Sequence, residues 1–373
     1  MGGHICVDAA QGGLSAVLPF LVLHGGYSYA QVAALVLAAN IASAVIQPLF
    51  GWLGDKAARP WLMALGVFLA GAGMAAIGVV DSYALIVVAA LVSGVGNAML
   101  HPEGGRLANL AGGEGANKAR SMSIFSVGGQ VGFCVGPLVT VAALTAFGLR
   151  GTLVYLAICV PYALLLLAFN RRFQAFGLRD DAAVEAVGGR DRWGAFSLVL
   201  ATLSARSIIF YGVTSFVPLY MVGVFGQTEE FASLLITLFA GAGAVATLLS
   251  SKAAERVGTR ALTVACFVVL VAGMAAFAAG ASLAVCVCML ALVALGVNLF
   301  NPPAITLGQS FVPQHLGMAS GLSFGVAVAV GGVVSPALGT FGDAFGLTTV
   351  MWALCAAAAV GLAFAIAVAR LKD

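Results

Sequence analysis

Long apolar runs recur along the whole chain, and each is about as long as a helix that crosses a lipid bilayer. The runs hold roughly 18 to 25 residues, which as helices cover a hydrocarbon layer of about 30 Å. Alternating strands of about ten residues, as in transmembrane barrels, do not recur. The pattern predicts an all-α membrane protein of about twelve transmembrane helices, near residues 3–24, 29–52, 61–80, 83–105, 118–147, 152–169, 194–224, 229–251, 261–280, 283–308, 317–342 and 348–369.

The composition also indicates that lipid is the solvent. Hydrophobic residues make up 62% of the chain, charged residues 8%, and the mean hydropathy is +1.08. A soluble domain cannot place so much apolar surface in one core. The 48 glycines fit this interpretation because small residues let membrane helices approach closely. No cleavable signal peptide is predicted, since the first apolar run lacks a basic leader.

Basic residues cluster in alternate loops and predict the orientation of the chain. Under the positive-inside rule, these loops and both termini lie in the cytoplasm, as expected in a bacterial inner (cytoplasmic) membrane. The opposite side carries Arg150 alone. The net charge of +3 reflects this loop bias and gives no reason to expect a nucleic-acid partner. The cytoplasmic set is Lys56, Arg59, Lys118, Arg120, Arg171, Arg172, Arg179, Arg190, Arg192, Lys252, Arg256, Arg260, Arg370 and Lys372.

The two halves of the chain are similar when the sequence is shifted by about 200 residues. The shift aligns His101-Pro102-Glu103 with Asn301-Pro302-Pro303, and Phe125, Gly132 and Pro137 with Phe324, Gly331 and Pro336. An even number of spans in each half gives a parallel pseudo-two-fold repeat about the membrane normal. We therefore expect a six-helix bundle at 1–169, a cytoplasmic linker at 170–193 and a second six-helix bundle at 194–373.

Two motifs resemble those of the major facilitator superfamily. Residues 51–60 read Gly-Trp-Leu-Gly-Asp-Lys-Ala-Ala-Arg-Pro, like the cytoplasmic loop signature after the second span, and residues 251–260 hold a degenerate copy. The resemblance implies that Gly51, Asp55 and Arg59 latch neighbouring helix ends during gating. The fifth span carries a motif similar to that of the superfamily's exporters, formed by Gly128, Gly132, Gly136 and Pro137. Its glycines share one helix face, which serves either rocking between conformations or a static contact.

A narrower resemblance is to the fosmidomycin-resistance exporters. It rests on His4-x3-Asp8, on Gln47-Pro48-Leu49-Phe50-Gly51, on His101-Pro102-Glu103 and on Phe125-Ser-Val-Gly-Gly129. This resemblance implies export of an anionic phosphonate drug in exchange for protons. One departure is the absence of the mid-membrane arginine that many superfamily exporters carry in the fourth helix, where Ala89, Ala90 and Leu91 stand here.

Ionisable residues inside spans are candidates for function because each costs roughly 2.5 to 3.5 kcal/mol at a helix centre. His4 and Asp8 are four residues apart, so they share one helix face. A shielded carboxylate beside a histidine can take up and release a proton near neutral pH. We therefore expect His4 and Asp8 to couple transport to protons.

A second group of ionisable residues lies toward the cytoplasmic end of the fourth span. His101 and Glu103 are further candidates for proton coupling, and Arg106 is three residues from Glu103 and can pair with it. In the functional interpretation, substrate and Glu103 compete for Arg106. The alternative is an ion pair that anchors a helix end near the lipid headgroups.

Arg206 lies deep in the seventh span and must face protein or water. Its planar guanidinium suits a phosphonate or carboxylate group, so it is a candidate for substrate binding. The alternative is a permanent ion pair with Asp8. Uncharged polar residues in the spans either line the same cavity or only bond helices together, and they are Gln11, Asn40, Gln47, Asn97, Gln130, Asn298 and Asn301.

These patterns predict a secondary active transporter. No phosphate-binding Gly-x4-Gly-Lys-Ser/Thr loop is present, so we expect a proton gradient to supply the energy and no cofactor. The expected partners are a small organic anion, protons and lipid, with the chain as a monomer. Uptake by symport or facilitated diffusion uses the same fold and stays an alternative. A membrane-embedded enzyme is a distant one, because no nucleophile with a base and no metal-ligand cluster is evident.

Overall fold

The computed structural model describes residues 1–27, 29–113, 116–175, 190–280 and 282–371, and this part of the chain is helical, with no β-strand. Most of the predicted linker, residues 176–189, lies outside the described residues, and this range includes Arg179. Lys372 also lies outside them. The α-helices are α1 (Gly2–Gly25), α2 (Tyr29–Lys56), α3 (Trp61–Ile77), α4 (Tyr83–Ala111), α5 (Ala116–Phe147), α6 (Val154–Ala168), α7 (Trp193–Gly223), α8 (Glu229–Val257), α9 (Thr259–Ala278), α10 (Leu283–Asn298), α11 (Asn301–Phe311), α12 (Leu316–Gly321), α13 (Ala327–Phe345) and α14 (Leu347–Ala369).

The predicted membrane fold is confirmed. Each of the predicted spans corresponds to one helix or to two consecutive ones, α10 with α11 and α12 with α13. Among the described residues, 9 helical stretches are long and apolar enough to cross a bilayer, and one of them, Asn117–Ala168, contains both α5 and α6. The helix α3 is shorter but also apolar. The chain is therefore a multi-pass helical membrane protein.

The tenth predicted span, 283–308, differs from the prediction because its helix is interrupted. α10 ends at Asn298 and α11 begins at Asn301. Pro302 and Pro303 occupy the first turn of α11, where their missing N–H groups are tolerated. In α4 the corresponding position has a single proline, Pro102, and the helix runs on to Ala111. One proline thus leaves α4 continuous, whereas two consecutive prolines accompany a break between α10 and α11, its counterpart in the second half.

The described chain divides into two compact units, each of which contains a short segment of the opposite half. The first unit comprises Met1–Ala111, Ile124–Arg190 and Pro313–Gly325, and the second comprises Gly112–Ser123, Asp191–Val312 and Val326–Asp373. The segment Pro313–Gly325 joins the first unit because its backbone packs on α2, so closely that a Cβ at Gly51 would overlap the Gly317 carbonyl oxygen. Boundaries at residues 169 and 194 stay a prediction.

Within the first unit, the glycine face of α5 packs directly on the backbone of α1. A Cβ added at Gly128 or Gly132 would lie 2.6 Å from a carbonyl oxygen of α1 or of the residue before it, and one at Gly136 would lie closer still. Such distances leave no room for any side chain. In a bilayer, where apolar surfaces gain little by leaving lipid, close backbone packing of this kind holds helices together.

We expect Gly132→Ala to destabilise the protein, because the added methyl group must push α1 and α5 apart. Overpacking typically costs about 1 to 3 kcal/mol. The thermal midpoint of purified protein in detergent, followed by helical circular dichroism, should therefore fall.

Gly332→Ala is the matched control, since a Cβ at Gly332 meets nothing within 4 Å. In open space this helical change should be neutral or stabilising by up to ~1 kcal/mol. Equal thermal midpoints for the two variants would contradict the close contact between α1 and α5.

Candidate functional site

Three ionisable side chains of the first unit meet in one buried group, the His–Asp–His cluster formed by His4, Asp8 and His101. The Nε2 atom of His4 lies 3.1 Å from Asp8 Oδ2, and the Nε2 atom of His101 lies 3.4 Å from Asp8 Oδ1. The two Nε2 atoms are themselves 3.0 Å apart. The exposed fractions of His4, Asp8 and His101 are 4%, 4% and 6%, so the cluster is shielded from solvent.

Backbone carbonyls fix the far side of both imidazole rings. His4 Nδ1 lies 2.7 Å from the carbonyl oxygen of Phe125 in α5, and His101 Nδ1 lies 2.9 Å from that of Asn97 in α4. Because a carbonyl oxygen only accepts, each Nδ1 carries a hydrogen and donates it. Both Nε2 atoms therefore point into the cluster.

Aromatic rings and a glycine enclose the cluster. The Phe125 ring stacks at a tilt on His4 with 4.3 Å between centroids, and the Phe324 ring lies 5.6 Å from that of His101. On the α5 side, a Cβ at Gly129 would lie 2.5 Å from Asp8 Oδ2 and 2.6 Å from His4 Nε2. The walls are thus apolar and close, which strengthens the electrostatic interactions inside.

Glu103 and Arg106 form a separate buried ion pair on α4, although the sequence groups them with His101. Arg106 Nε donates to Glu103 Oε2 at 3.2 Å, and Arg106 Nη2 donates to Glu103 Oε1 at 3.3 Å. Residues two positions apart on a helix point in different directions, so Glu103 faces α2, near Gly54, and not Asp8. Both partners are only 1–2% exposed, so protein atoms cover the pair almost completely.

Three of the predicted polar residues form a hydrogen-bonded row beside the cluster. Gln11 Nε2 donates to Asn40 Oδ1 at 2.9 Å, and Asn97 Nδ2 donates to Gln11 Oε1. The backbone carbonyl of Asn97 also holds His101. The row therefore connects the His–Asp–His cluster to Asn40, which is exposed.

Arg206 is held in the second unit by neutral groups. Its Nε donates to the Val297 carbonyl oxygen at 3.0 Å and its Nη2 to Asn298 Oδ1 at 3.2 Å. Its guanidinium also lies over the Phe210 ring, 5.2 Å from the centroid. The ion pairs found among the described residues join His4 to Asp8, His101 to Asp8 and Arg106 to Glu103, and none of them includes Arg206.

The other predicted polar residues lie elsewhere. Gln47 is buried in α2, where its Nε2 donates to Ser43 Oγ at 2.7 Å. Gln130 is half-buried on α5 beside Gly129, and Asn301 is half-buried at the first residue of α11. They do not form part of the row of Gln11, Asn40 and Asn97.

Asp55, from the loop signature, caps the start of α12. Its Oδ1 accepts from the Gly317 N–H at 2.5 Å and its Oδ2 from the Met318 N–H at 2.8 Å. A carboxylate at this position is also stabilised by the positive end of the helix dipole. Arg59 is half-buried and makes no side-chain hydrogen bond or ion pair with the described residues. Of these two charged residues of the signature, Asp55 therefore caps a helix, while Arg59 makes no such contact with the described residues.

Sequence reasoning missed two features of the cluster. It assigned His101 to the group of Glu103, and it treated Phe324 only as the repeat counterpart of Phe125, whereas the two rings lie 5.8 Å apart beside the histidines. The available signal was the spacing within His101-Pro102-Glu103, which places the imidazole and the carboxylate on different helix faces.

Comparison with known proteins identifies the family. The sequence profile described as Major Facilitator Superfamily matches residues 1–336 and 207–372. The chain is 26% identical over 375 residues to the uncharacterized MFS-type transporter YfnC of Bacillus subtilis (strain 168), across 96% of this chain and 89% of that protein. It is 24% identical over 352 residues to the fosmidomycin resistance protein of Escherichia coli (strain K12), across 91% of this chain and 84% of that protein.

A solved structure supports the fold. The crystal structure of FucP, a Major Facilitator Superfamily transporter in the outward conformation, matches with a TM-score of 0.75 at 16% identity, over 100% of this chain and 97% of that one. At this identity the likeness concerns the fold alone. Together with the profile match over nearly every residue, it shows that the chain belongs to the major facilitator superfamily of membrane transporters.

Proposed function

We propose that the protein is a proton-coupled exporter of a small organic anion, such as a phosphonate antibiotic. The observation that carries this proposal is Arg206, a permanent cation in a membrane-spanning helix whose contacts are a carbonyl, an amide and an aromatic ring. An ionised side chain in a span is costly, and neutral dipoles compensate its charge only in part. An anionic solute supplies the missing charge.

The guanidinium suits that role chemically. It offers five N–H donors in a plane and binds phosphonate or carboxylate oxygens two at a time. Its Nε donates to the Val297 carbonyl oxygen and its Nη2 donates to Asn298 Oδ1. These two hydrogen bonds fix the plane of the guanidinium group. The Phe210 ring beside it adds a cation–π contact that holds the charge in place.

The His–Asp–His cluster supports the proton part of the proposal. Histidine changes its charge near physiological pH, and Asp8 provides the opposite charge. Glu103 is the second candidate, through its ion pair with Arg106. A proton moving down its gradient then supplies the energy for export, so the transporter needs no cofactor.

The similarity to the fosmidomycin resistance protein supports export as the direction and a phosphonate as the substrate class. We further propose that the protein works as a monomer in the bacterial inner membrane, with both termini in the cytoplasm, as the loop lysines and arginines indicate. A transporter function, rather than an enzymatic one, agrees with membership of the superfamily.

Replacing Arg206 tests the anion site. Arg206→Gln removes the charge, and the loss of charge-assisted hydrogen bonds worth about 1.5 to 3 kcal/mol should weaken binding of fosmidomycin by roughly 10- to 100-fold. Arg206→Lys should keep part of the affinity because the charge remains. Calorimetry on protein in nanodiscs gives both dissociation constants.

Arg370→Gln is the control, because Arg370 is exposed at the end of α14 and should leave binding unchanged. A neutral drug provides the second comparison. If Arg206→Gln weakened binding of neutral and anionic solutes equally, Arg206 would have a structural role and the anion proposal would fail.

Replacing Asp8 tests proton coupling. Asp8→Asn keeps the shape of the side chain but removes the charge that faces both histidines, so gradient-driven accumulation of fosmidomycin in inside-out vesicles should be lost. Exchange of labelled for unlabelled substrate without a gradient should persist. Asp343→Asn, at an exposed site in α13, is the matched control.

Two results would count against this mechanism. Gradient-driven accumulation that survives Asp8→Asn removes Asp8 from the coupling. Accumulation in right-side-out vesicles together with proton entry reverses the direction and supports uptake by symport.

A further inference from the structure

The Nε2 atoms of His4 and His101 face each other, and the hydrogen of each neutral ring lies on its other nitrogen, Nδ1. Each ring donates its Nδ1 hydrogen to a backbone carbonyl, of Phe125 or of Asn97. A neutral imidazole has one hydrogen, so in two neutral rings both Nε2 atoms carry only lone pairs. The two nitrogens lie 3.0 Å apart, beside the oxygens of Asp8, so their lone pairs would repel each other.

A proton on Asp8 does not resolve this conflict. A protonated carboxyl group donates to one nitrogen only, and the two Nε2 atoms would still oppose each other. A proton on either Nε2 resolves it, because that N–H then points to the other nitrogen and to Asp8. The group as a whole becomes neutral, with one positive ring and one carboxylate, as its apolar walls favour.

We infer that the His–Asp–His cluster holds a single proton shared between the Nε2 atoms of His4 and His101, with Asp8 as its ionised counter-charge. The inference rests on the proposed proton coupling and deepens it, because it places the transported proton at two nitrogens and not at the carboxylate. Phe125 and Asn97 act through their carbonyls as positioning residues that hold the required tautomer.

Loss of this proton must change the hydrogen bonds of the cluster. In the neutral pair, either a ring gives up its Nδ1–H···O=C bond by changing tautomer, or the two Nε2 atoms move apart. The His4 bond goes to Phe125, at the end of the glycine face where Gly128 and Gly132 pack on α1. When His4 is the ring that gives up its bond, deprotonation weakens the contact between α1 and α5, which links the proton to helix movement.

The groups that surround the two rings are few. α1 contributes His4 and Asp8, α4 contributes His101 and the Asn97 carbonyl, and α5 contributes the Phe125 carbonyl and ring. The π-helical segment Leu322–Val326 contributes the Phe324 ring. Among the described residues, Asp8 is thus the one acid in contact with the pair.

The same three side chains are also chemically able to bind a divalent metal ion, but the surroundings favour a proton. A tetrahedral zinc site needs a fourth ligand, and the described residues contribute only three donors here. Phenylalanine rings and the backbone at Gly129 occupy the space around them. The distance of 3.0 Å between the nitrogens is that of an N–H···N hydrogen bond.

Side-chain ¹⁵N NMR of the full chain in nanodiscs, after treatment with a chelator, tests the inference. The chain has only 4 histidines, so single variants assign every ring. We expect His4 and His101 to share one exchange-protected N–H signal that couples to both Nε2 atoms, and either His4→Gln or His101→Gln should abolish it. His315→Gln, outside the cluster, should leave it unchanged.

Two results would overturn the inference. In the first, the two rings titrate independently, so that His101→Gln leaves the His4 signals unaltered. In the second, calorimetry shows stoichiometric binding of Zn²⁺ at micromolar or tighter affinity, with shifts of both Nε2 signals, which makes the cluster a metal site. Should a variant fold poorly, the wild-type protein alone still shows or lacks the shared N–H signal.

The NMR result is independent of the transport assays. A shared proton in a protein that moves no anion would remove the proposed exporter function and keep this inference. Proton-driven transport without the shared signal would do the opposite.

Discussion

The direct packing of α5 on the backbone of α1 is the contact on which the arrangement of the candidate site depends. Three glycines bring the helices close enough for the Phe125 carbonyl to accept from His4 Nδ1. A wider separation would break that bond and free the ring to choose either tautomer. The same closeness leaves no space beside Gly129, so Asp8 and His4 are pressed together. The packing of α1 on α5 therefore fixes the geometry on which the proposed proton chemistry depends.

Ionised groups inside the spans are compensated in three different ways. Asp8 faces two histidines, Glu103 and Arg106 pair within one helix, and Arg206 contacts only neutral groups. The first arrangement can gain or lose a proton, and the second keeps both charges satisfied. The third leaves a cation that has no ion pair with the described residues. In the proposed function, these different arrangements place the proton and the anion at separate sites.

Much of the fold could be predicted because the signals are local. Apolar run length gives the spans, and a spacing of four residues gives the contact between His4 and Asp8. The meeting of His101 with Asp8 could not be obtained in this way, since it depends on the rotation and crossing of α1 and α4. Pro302 and Pro303 signal the break between α10 and α11. The apolar run continues across the break, however, so run length alone predicts one uninterrupted span.

The end of α10 has a consequence for how Arg206 meets a ligand. Because the helix stops at Asn298, the carbonyl of Val297 lies in its final turn, where carbonyl groups lack a helical partner and carry partial negative charge. An arginine locked to a carboxylate must first break a strong bond before it can capture another anion. Here the end of α10 offers a neutral carbonyl oxygen, so under the proposed function a solute is captured and released without the separation of two full charges in either step.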